Sequence, residues 1–184
     1  MTVASRIVEL AQRHRMERGL VGPPLAANRL HVTLMSFGTG VGPVPGRVTR
    51  VARAIGDAVR FSSFEISFDR AASFARSHRN RPYVLLGDDG VIDAKMLHKK
   101  LAGAALRYSS DERVFQRFTP HATLLYDDLQ LSEQKIEPIS WAVEEFVLIE
   151  SWVGQTKHIV RGCWFSSQCL LAGELPHDAG LRAG

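Results

Sequence analysis

The sequence contains little cysteine, few aromatic residues and no long apolar run. Two of its 184 residues are cysteine and 8% are aromatic. No stretch approaches the roughly 18 apolar residues that cross a membrane, and the first residues lack the apolar segment of a secretion signal. These absences argue against a disulfide-rich secreted scaffold and against a membrane protein. We therefore expect a cytoplasmic protein with reduced thiols, although a bond between Cys163 and Cys169 stays open.

Several familiar site motifs are also missing. The two cysteines lack the spacing of a metal site, and neither His-x-His nor His-Glu-x-x-His occurs. The glycine-rich stretch at 38–42 lacks the Lys-Ser/Thr pair of a phosphate-binding loop. No Gly-x-Ser-x-Gly elbow is present, although a Ser-His-Asp site stays open on residue counts alone. We expect neither a metal nor a cofactor.

Charge is distributed unevenly along the chain. Residues 1–81 carry thirteen arginines and five acidic residues, whereas residues 82–184 carry ten basic and fourteen acidic residues. Arginine suits bidentate phosphate contacts, so a polyanionic partner such as RNA is one interpretation. The alternative is a set of solvated helix faces.

The most informative feature is a four-residue motif that occurs twice. Residues 31–34 read His-Val-Thr-Leu, and residues 121–124, ninety positions later, read His-Ala-Thr-Leu. Both lie in apolar runs typical of strands. Because side chains two residues apart in a strand share a face, each His projects with its Thr while the aliphatic residues project the other way. With seven His and seven Thr in the chain, two such pairs exceed chance placement.

Two imidazoles and two hydroxyls directed into one cleft would form an acid-base site. Histidine titrates near neutral pH, so one imidazole can accept a proton while the other donates one. Threonine hydroxyls can donate to the phosphoryl oxygens, where charge grows in the transition state. We predict catalytic roles for four residues: His31, Thr33, His121 and Thr123. The structural alternative is a pair of histidines at the edge of the core, with Thr present for its strand propensity.

The order of predicted elements also repeats. Apolar periodicity predicts helices at 3–18, 47–60 and 92–108, and strands at 30–37, 64–69, 81–86, 118–126, 145–153 and 158–166. A Phe-centred strand and then a further strand follow each motif strand. This repetition predicts an α+β, bilobal, duplicated fold with two antiparallel sheets, outer helices, a central groove and a pseudo-twofold axis. We expect one two-lobed domain over residues 1–171 and a loose tail at 172–184.

With these motifs, the chain resembles the bacterial 2′-5′ RNA ligase family of the 2H phosphoesterase superfamily. The resemblance spans residues 4–171 and is carried by residues 29–34 followed by Phe37-Gly38, residues 118–124, the strand at 145–148 and the closing strand that ends at Trp164. Members are bilobal proteins with two His-x-Thr/Ser-x motifs in a central groove. They hydrolyse RNA 2′,3′-cyclic phosphates, and some reversibly make 2′-5′ linkages.

The resemblance implies a metal-independent RNA 2′,3′-cyclic phosphodiesterase that produces a 2′-phosphate, with reversible 2′-5′ ligase activity as a further expectation. It implies that His31 donates a proton and His121 accepts one. The expected partners are RNA ends or nucleoside 2′,3′-cyclic phosphates, with no obligate protein partner. We also assign Phe37 and Tyr126 to substrate binding. Tyr126 replaces an Arg of many members and could stack on a base.

The sequence departs from the family at its first element. Members generally begin with an apolar strand, whereas this sequence enters its first helix at about Val3. We expect either that the chain starts upstream or that the first sheet lacks a strand and has an unpaired edge.

Two other functions fit the same motifs. One is a module that binds a nucleotide or an RNA end without turnover. The other is a phosphodiesterase for a different cyclic phosphate, such as an ADP-ribose cyclic phosphate. The presence of both intact motifs favours catalysis.

Overall fold

All three predicted helices are present. The computed structural model describes residues 1–40, 42–75, 79–108, 118–152, 157–168 and 182–183. Its helices are α1 (Val3–Arg18), α2 (Gly46–Asp57) and α3 (Ile92–Ala105). Short 3-10 turns occupy Ala27–Arg29 and Asp89–Val91. The expected boundaries therefore agree with the structure within three residues at each end.

Local chemistry explains both ends of α1. The Thr2 hydroxyl accepts the backbone N–H of Ser5 at 3.2 Å, which satisfies one donor of the first turn. Gly19 follows the helix with φ +68°, a left-handed conformation that glycine adopts without a steric cost. These two residues fix α1 to the span that the sequence predicts.

The described residues also form eight strands. They are β1 (His31–Val32), β2 (Phe64–Ser73), β3 (Arg81–Leu86), β4 (Ala122–Asp127), β5 (Gln134–Val143), β6 (Glu145–Trp152), β7 (Lys157–Phe165) and β8 (Arg182–Ala183). The strand predicted at 30–37 is thus two residues long, and the strand predicted at 64–69 continues to Ser73.

The sequence pattern missed β5. This strand contains Pro138, which cannot donate a backbone hydrogen bond and therefore weakens a strand prediction. The structure tolerates the proline because β5 is an edge strand, which pairs only with β2 among the described strands.

The strands lie in the order β5-β2-β3-β4-β1-β8-β6-β7. Strands β5 to β1 pair antiparallel, as do β6 and β7, and the two-residue β8 joins these sets by running parallel to both β1 and β6. The predicted α+β class with two antiparallel sheets is confirmed. A pseudo-twofold axis through the predicted groove would place the two motif strands across that groove from each other, but β1 and β4 are hydrogen-bonded neighbours.

The position of β8 bears on two expectations about the chain ends. Of the tail expected at 172–184, the structure describes Arg182–Ala183, which form this strand; the rest lies outside the described residues. The second expectation, that the chain starts upstream or that the first sheet has an unpaired edge, stays a prediction. At the first motif the strand β1 is paired on both sides, by β4 and by β8.

The helices cover the apolar face of the strands. Helix α1 packs against β4 and β5, α2 against β7 and α3, and α3 against β2. The largest fully buried side chains come from several of these elements and include Tyr83, Phe68, Ile7, Ile66 and Leu85. Burial of such side chains contributes most of the favourable free energy of folding.

A buried polar network fastens α1 to the sheet. The buried His14 places its Nδ1 2.8 Å from the hydroxyl of Tyr83, and Gln134 Nε2 donates to that same hydroxyl. Arg18 in turn donates to Gln134 Oε1. Burial, reinforced by the charge of Arg13, lowers the pKa of His14 below 6.5.

We expect the free energy of unfolding to fall as the pH drops through about 6.5, because the unfolded chain then binds a proton at position 14 that the folded protein resists. The loss continues until the pH reaches the lowered folded pKa. Urea denaturation between pH 8 and pH 5.5 measures the free energy of unfolding at each pH. The variant His14→Gln should show a weaker dependence of that free energy on pH. A residual slope is expected from His158, whose pKa is also lowered. An unchanged slope in the variant would contradict the assignment.

Candidate active site

The register of β1 and β4 brings the two motifs together. Val32 and Ala122, the second residues of the two motifs, are antiparallel partners, and both are buried in the core. Side chains alternate along a strand, so the residues on either side of this pair project from the opposite face. That surface, here called the motif face, carries four half-buried side chains: His31, Thr33, His121 and Thr123.

Each imidazole lies across from a hydroxyl. In an antiparallel pair the residue before one partner opposes the residue after the other, so His31 opposes Thr123 and Thr33 opposes His121. Directly opposed Cβ atoms are about 4.5–5.5 Å apart. A phosphate-sized group can therefore contact side chains of both strands at once.

Both motif histidines are oriented by the same backbone contact. His31 Nδ1 lies 2.8 Å from the carbonyl oxygen of Arg29, and His121 Nδ1 lies 2.7 Å from that of Thr119. A carbonyl oxygen only accepts, so Nδ1–H is the donor in each case. Each ring is then oriented with Nε2 as the nitrogen that can exchange a proton with a substrate.

The two histidines differ in their neighbours. The ring of His31 lies edge-on to His158 of β7, with 5.7 Å between ring centroids. The ring of His121 lies edge-on to Phe74, which follows β2, at 4.8 Å. Sequence reasoning missed both neighbours, since they lie far from the motifs along the chain. One end of the motif face is therefore polar and the other is aromatic.

A β-bulge determines where Tyr126 points. The pairing of β3 with β4 shifts by one residue between Tyr83 and Val84. Leu124 and Leu125 are both buried, and Tyr126 is 43% exposed. Strict alternation would place Tyr126 opposite to the second motif. The extra residue returns it to the motif face, beyond the second motif.

Phe37 lies in the coil that follows β1, and 40% of it is exposed. Among the described residues, no ring contact joins it to the motif histidines. Its role in substrate binding stays a prediction.

Helix α3 holds the outer ends of both motifs. His98 Nδ1 donates to the carbonyl oxygen of Leu34, the last residue of the first motif, at 2.8 Å. The same ring stacks on Phe118, shortly before the second motif, with centroids 4.3 Å apart. His98 is thus a supporting residue that sequence patterns did not single out.

Asp127 ties the end of β4 to the loop that leads into the first motif. Its carboxylate accepts the backbone N–H groups of Val21, Gly22 and Leu129 at 2.7, 2.8 and 2.9 Å. Burial opposes the charged form, but the hydrogen bonds outweigh it and lower the pKa of Asp127. The carboxylate is therefore a structural acceptor rather than a base for the motif face.

Two concavities lie away from the motif face. One of about 190 Å³ lies between the Phe61–Phe64 segment and α3, and one of about 250 Å³ lies between α1 and β5. Neither contains a motif residue, and the chemistry of the motif face places the candidate site there instead.

Within the described ranges, no three His, Cys, Asp or Glu side chains cluster as a metal site requires. In the same ranges no helix is both long and apolar enough to span a membrane.

Solved structures of other proteins share this fold. The crystal structure of TT0787 from Thermus thermophilus matches with a TM-score of 0.68 and 20% identity, covering 89% of this chain and 91% of that one. E. coli LigT in its apo form matches with a TM-score of 0.65 and 25% identity, covering 90% and 91%. Its complex with 3′-AMP matches at 0.59 and 25% identity, covering 89% and 93%.

Sequence comparison identifies the family. A search of curated proteins found no match. The family model of the 2′-5′ RNA ligase superfamily matches residues 3–154, which include both motifs and most of the described strands. This is the family that the two motifs and their flanking residues resemble. The chain belongs to the 2′-5′ RNA ligase superfamily.

Proposed function

We propose that the protein is a metal-independent RNA 2′,3′-cyclic phosphodiesterase that uses one histidine of each motif. The observation that carries this proposal is the pairing of β1 with β4, which sets each imidazole beside a hydroxyl on one face. The matching carbonyl contacts of the two Nδ1 atoms add to it, because they orient two equivalent Nε2 atoms. Such a pair suits a reaction that removes one proton and supplies another.

In the proposed reaction a water molecule attacks the phosphorus of the cyclic phosphate. One imidazole accepts a proton from that water at Nε2, and the other imidazole donates its Nε2 proton to the departing 3′-oxygen. The P–O3′ bond breaks, leaving a 2′-phosphate and a free 3′-hydroxyl. Meanwhile, the Thr33 and Thr123 hydroxyls donate to the non-bridging oxygens, where negative charge increases.

The same arrangement supports 2′-5′ ligation. If the 5′-hydroxyl of a second RNA strand replaces water, its proton passes to the accepting imidazole and its oxygen bonds to phosphorus. The 3′-oxygen again departs with a proton, and a 2′-5′ phosphodiester results. This step conserves phosphoester bonds, so it needs no external energy source and is reversible.

Three observations support a nucleotide substrate. E. coli LigT, which shares this fold, has been crystallised with 3′-AMP and with NADP+. The exposed Tyr126 side chain lies beyond the second motif on the same face, where a base could stack. The arginine-rich first half of the chain also favours a polyanion.

A substrate panel separates this proposal from its two alternatives. The protein is incubated separately with three compounds: adenosine 2′,3′-cyclic phosphate, a short RNA ending in a 2′,3′-cyclic phosphate, and an ADP-ribose cyclic phosphate. Turnover and binding of each compound are measured in parallel. We expect turnover of the first two. Binding of these ligands without turnover would favour the non-catalytic module, and turnover of the ADP-ribose compound alone would favour the other phosphodiesterase.

We expect activity to persist in excess EDTA, since the proposed site relies on imidazole and hydroxyl groups alone. The plot of kcat/KM against pH should be bell-shaped, because one histidine must be neutral and the other protonated. Assays between pH 5 and 9, with and without chelator, measure both. Activity lost in EDTA and restored by zinc or manganese would contradict the proposal.

A further inference from the structure

We propose that Arg29 and His158 form an anion-binding subsite beside His31 that holds a second phosphate of the substrate, on the 5′ side of the reacting nucleotide. The inference rests on the proposed function, which places the cyclic phosphate between the two motifs. It assigns residues to the recognition of a phosphate or phosphodiester at the 5′ position of the reacting nucleotide.

The first observation is the unexpected closeness of His158 to His31. In the strand order β7 lies three places from β1, which in a flat sheet corresponds to about 14 Å. The ring centroids are 5.7 Å apart, so β6 and β7 bend over the motif face. The register of this pair shifts between Leu148 and Ile149, and such a bulge bends strands. The bend places the imidazole of His158 next to that of His31 in the first motif.

The second observation is the state of Arg29. The residue is half-buried, and its Nε is buried without a hydrogen-bond partner among the described residues. In the same part of the chain, the ion pairs seen involve Arg70 and Arg161 rather than Arg29. A guanidinium beside the first motif thus retains donor capacity that suits a phosphate.

The third observation is electrostatic. Burial, then His31 and Arg29, lower the pKa of His158, so its ring is neutral near pH 7 and can still donate one N–H. Among the described residues, His31 and Arg29 are the charged or titratable groups that act on it; its cross-strand partner on β6 is Ser151. A bound anion would accept this N–H and would lie beside the positive charge of the Arg29 guanidinium.

The other end of the motif face is chemically different. There Phe74 packs on His121, and Tyr126 is exposed on the same face. A nucleotide whose cyclic phosphate lies between the motifs carries its base and its 5′ substituent at different positions of the ribose. The aromatic end suits the base, and the Arg29–His158 end suits the 5′ phosphate.

Equilibrium binding tests the subsite without depending on turnover. Adenosine 2′-monophosphate is compared with adenosine 2′,5′-bisphosphate, and with a dinucleotide that ends in a 2′-phosphate. We expect the two ligands with a second phosphate to bind roughly 10- to 100-fold more tightly, as charged hydrogen bonds allow. If only one gains affinity, the subsite is selective for a terminal phosphate or for a phosphodiester.

Two substitutions should remove that advantage. Arg29→Gln keeps the backbone carbonyl that orients His31, and His158→Phe keeps a ring to pack against it. In both variants the affinity for the bisphosphate should fall to about the affinity for the monophosphate. Arg6→Gln, at an exposed arginine by the β5 edge, is the matched control and should retain the advantage.

Equal affinity of all three ligands for the wild-type protein would overturn the subsite. So would an advantage that survives in both variants, or equal weakening of every ligand together with lost turnover, which would make the pair a support for His31 alone. Failure of the proposed function is a separate result, since wild-type protein would then show no turnover of any cyclic phosphate whatever its binding preferences.

Discussion

Replacing either His31 or His121 with alanine is expected to slow hydrolysis of a nucleoside 2′,3′-cyclic phosphate by about 10²- to 10⁴-fold, the usual contribution of a positioned acid or base. Both imidazoles contact a backbone carbonyl and project from the motif face, whereas the neighbouring Val32 and Ala122 fill the core. Each substitution therefore removes an imidazole that transfers a proton and changes the packing of the core little. Steady-state kinetics with adenosine 2′,3′-cyclic phosphate measures the effect as a fall in kcat.

The control for this prediction is the fold of each variant. Thermal unfolding should remain cooperative in both, and Arg6→Gln, an exposed substitution on α1, should leave kcat unchanged. Wild-type turnover in both alanine variants would assign the histidines to structure. If one alanine variant lost activity to the expected extent and the other kept wild-type activity, a mechanism that requires both histidines would be ruled out.

Replacing Thr33 or Thr123 with valine should lower kcat/KM by roughly 10- to 150-fold, because a hydrogen bond to a charged group contributes about 1.5–3 kcal/mol. Valine keeps the shape and the strand propensity of threonine but lacks the donor. Each threonine opposes a histidine of the other strand, so it lies where a phosphoryl oxygen would be held.

The matched variants for this prediction are threonine substitutions of two kinds. Thr33→Ser and Thr123→Ser retain the hydroxyl and should recover most of the activity. Thr49→Val, on α2 outside the motifs, should behave as wild type. If the valine variants at the motifs match Thr49→Val, the hydroxyls are structural.

The composition of the motif face follows from local rules and could be predicted. A two-residue period decides that His31 projects with Thr33, and His121 with Thr123. The direct pairing of the two strands could not be predicted in the same way. It depends on contacts between segments ninety residues apart, and β1 is reduced to two residues of regular strand, so the local pattern contains little information about its partners.

The neighbours of the motif side chains could not be predicted from the sequence for similar reasons. His158 reaches His31 only because β6 and β7 bend, and Phe74 lies against His121 only because β2 continues past its predicted end. Tyr126 was singled out by its place in the family motif, but simple alternation gives it the wrong face. Bulges change both direction and register, and neither follows from hydrophobic periodicity.

The most direct test of the two-histidine account is hydrolysis of adenosine 2′,3′-cyclic phosphate in ¹⁸O-labelled water, followed by phosphorus NMR. The account predicts a single product, adenosine 2′-phosphate with one labelled oxygen on phosphorus, formed by the wild-type protein in the presence of EDTA and reduced by about 10²-fold or more in the His31→Ala and His121→Ala variants. Formation of the 3′-phosphate, or the labelled 2′-phosphate formed at an equal rate by both variants, would contradict it.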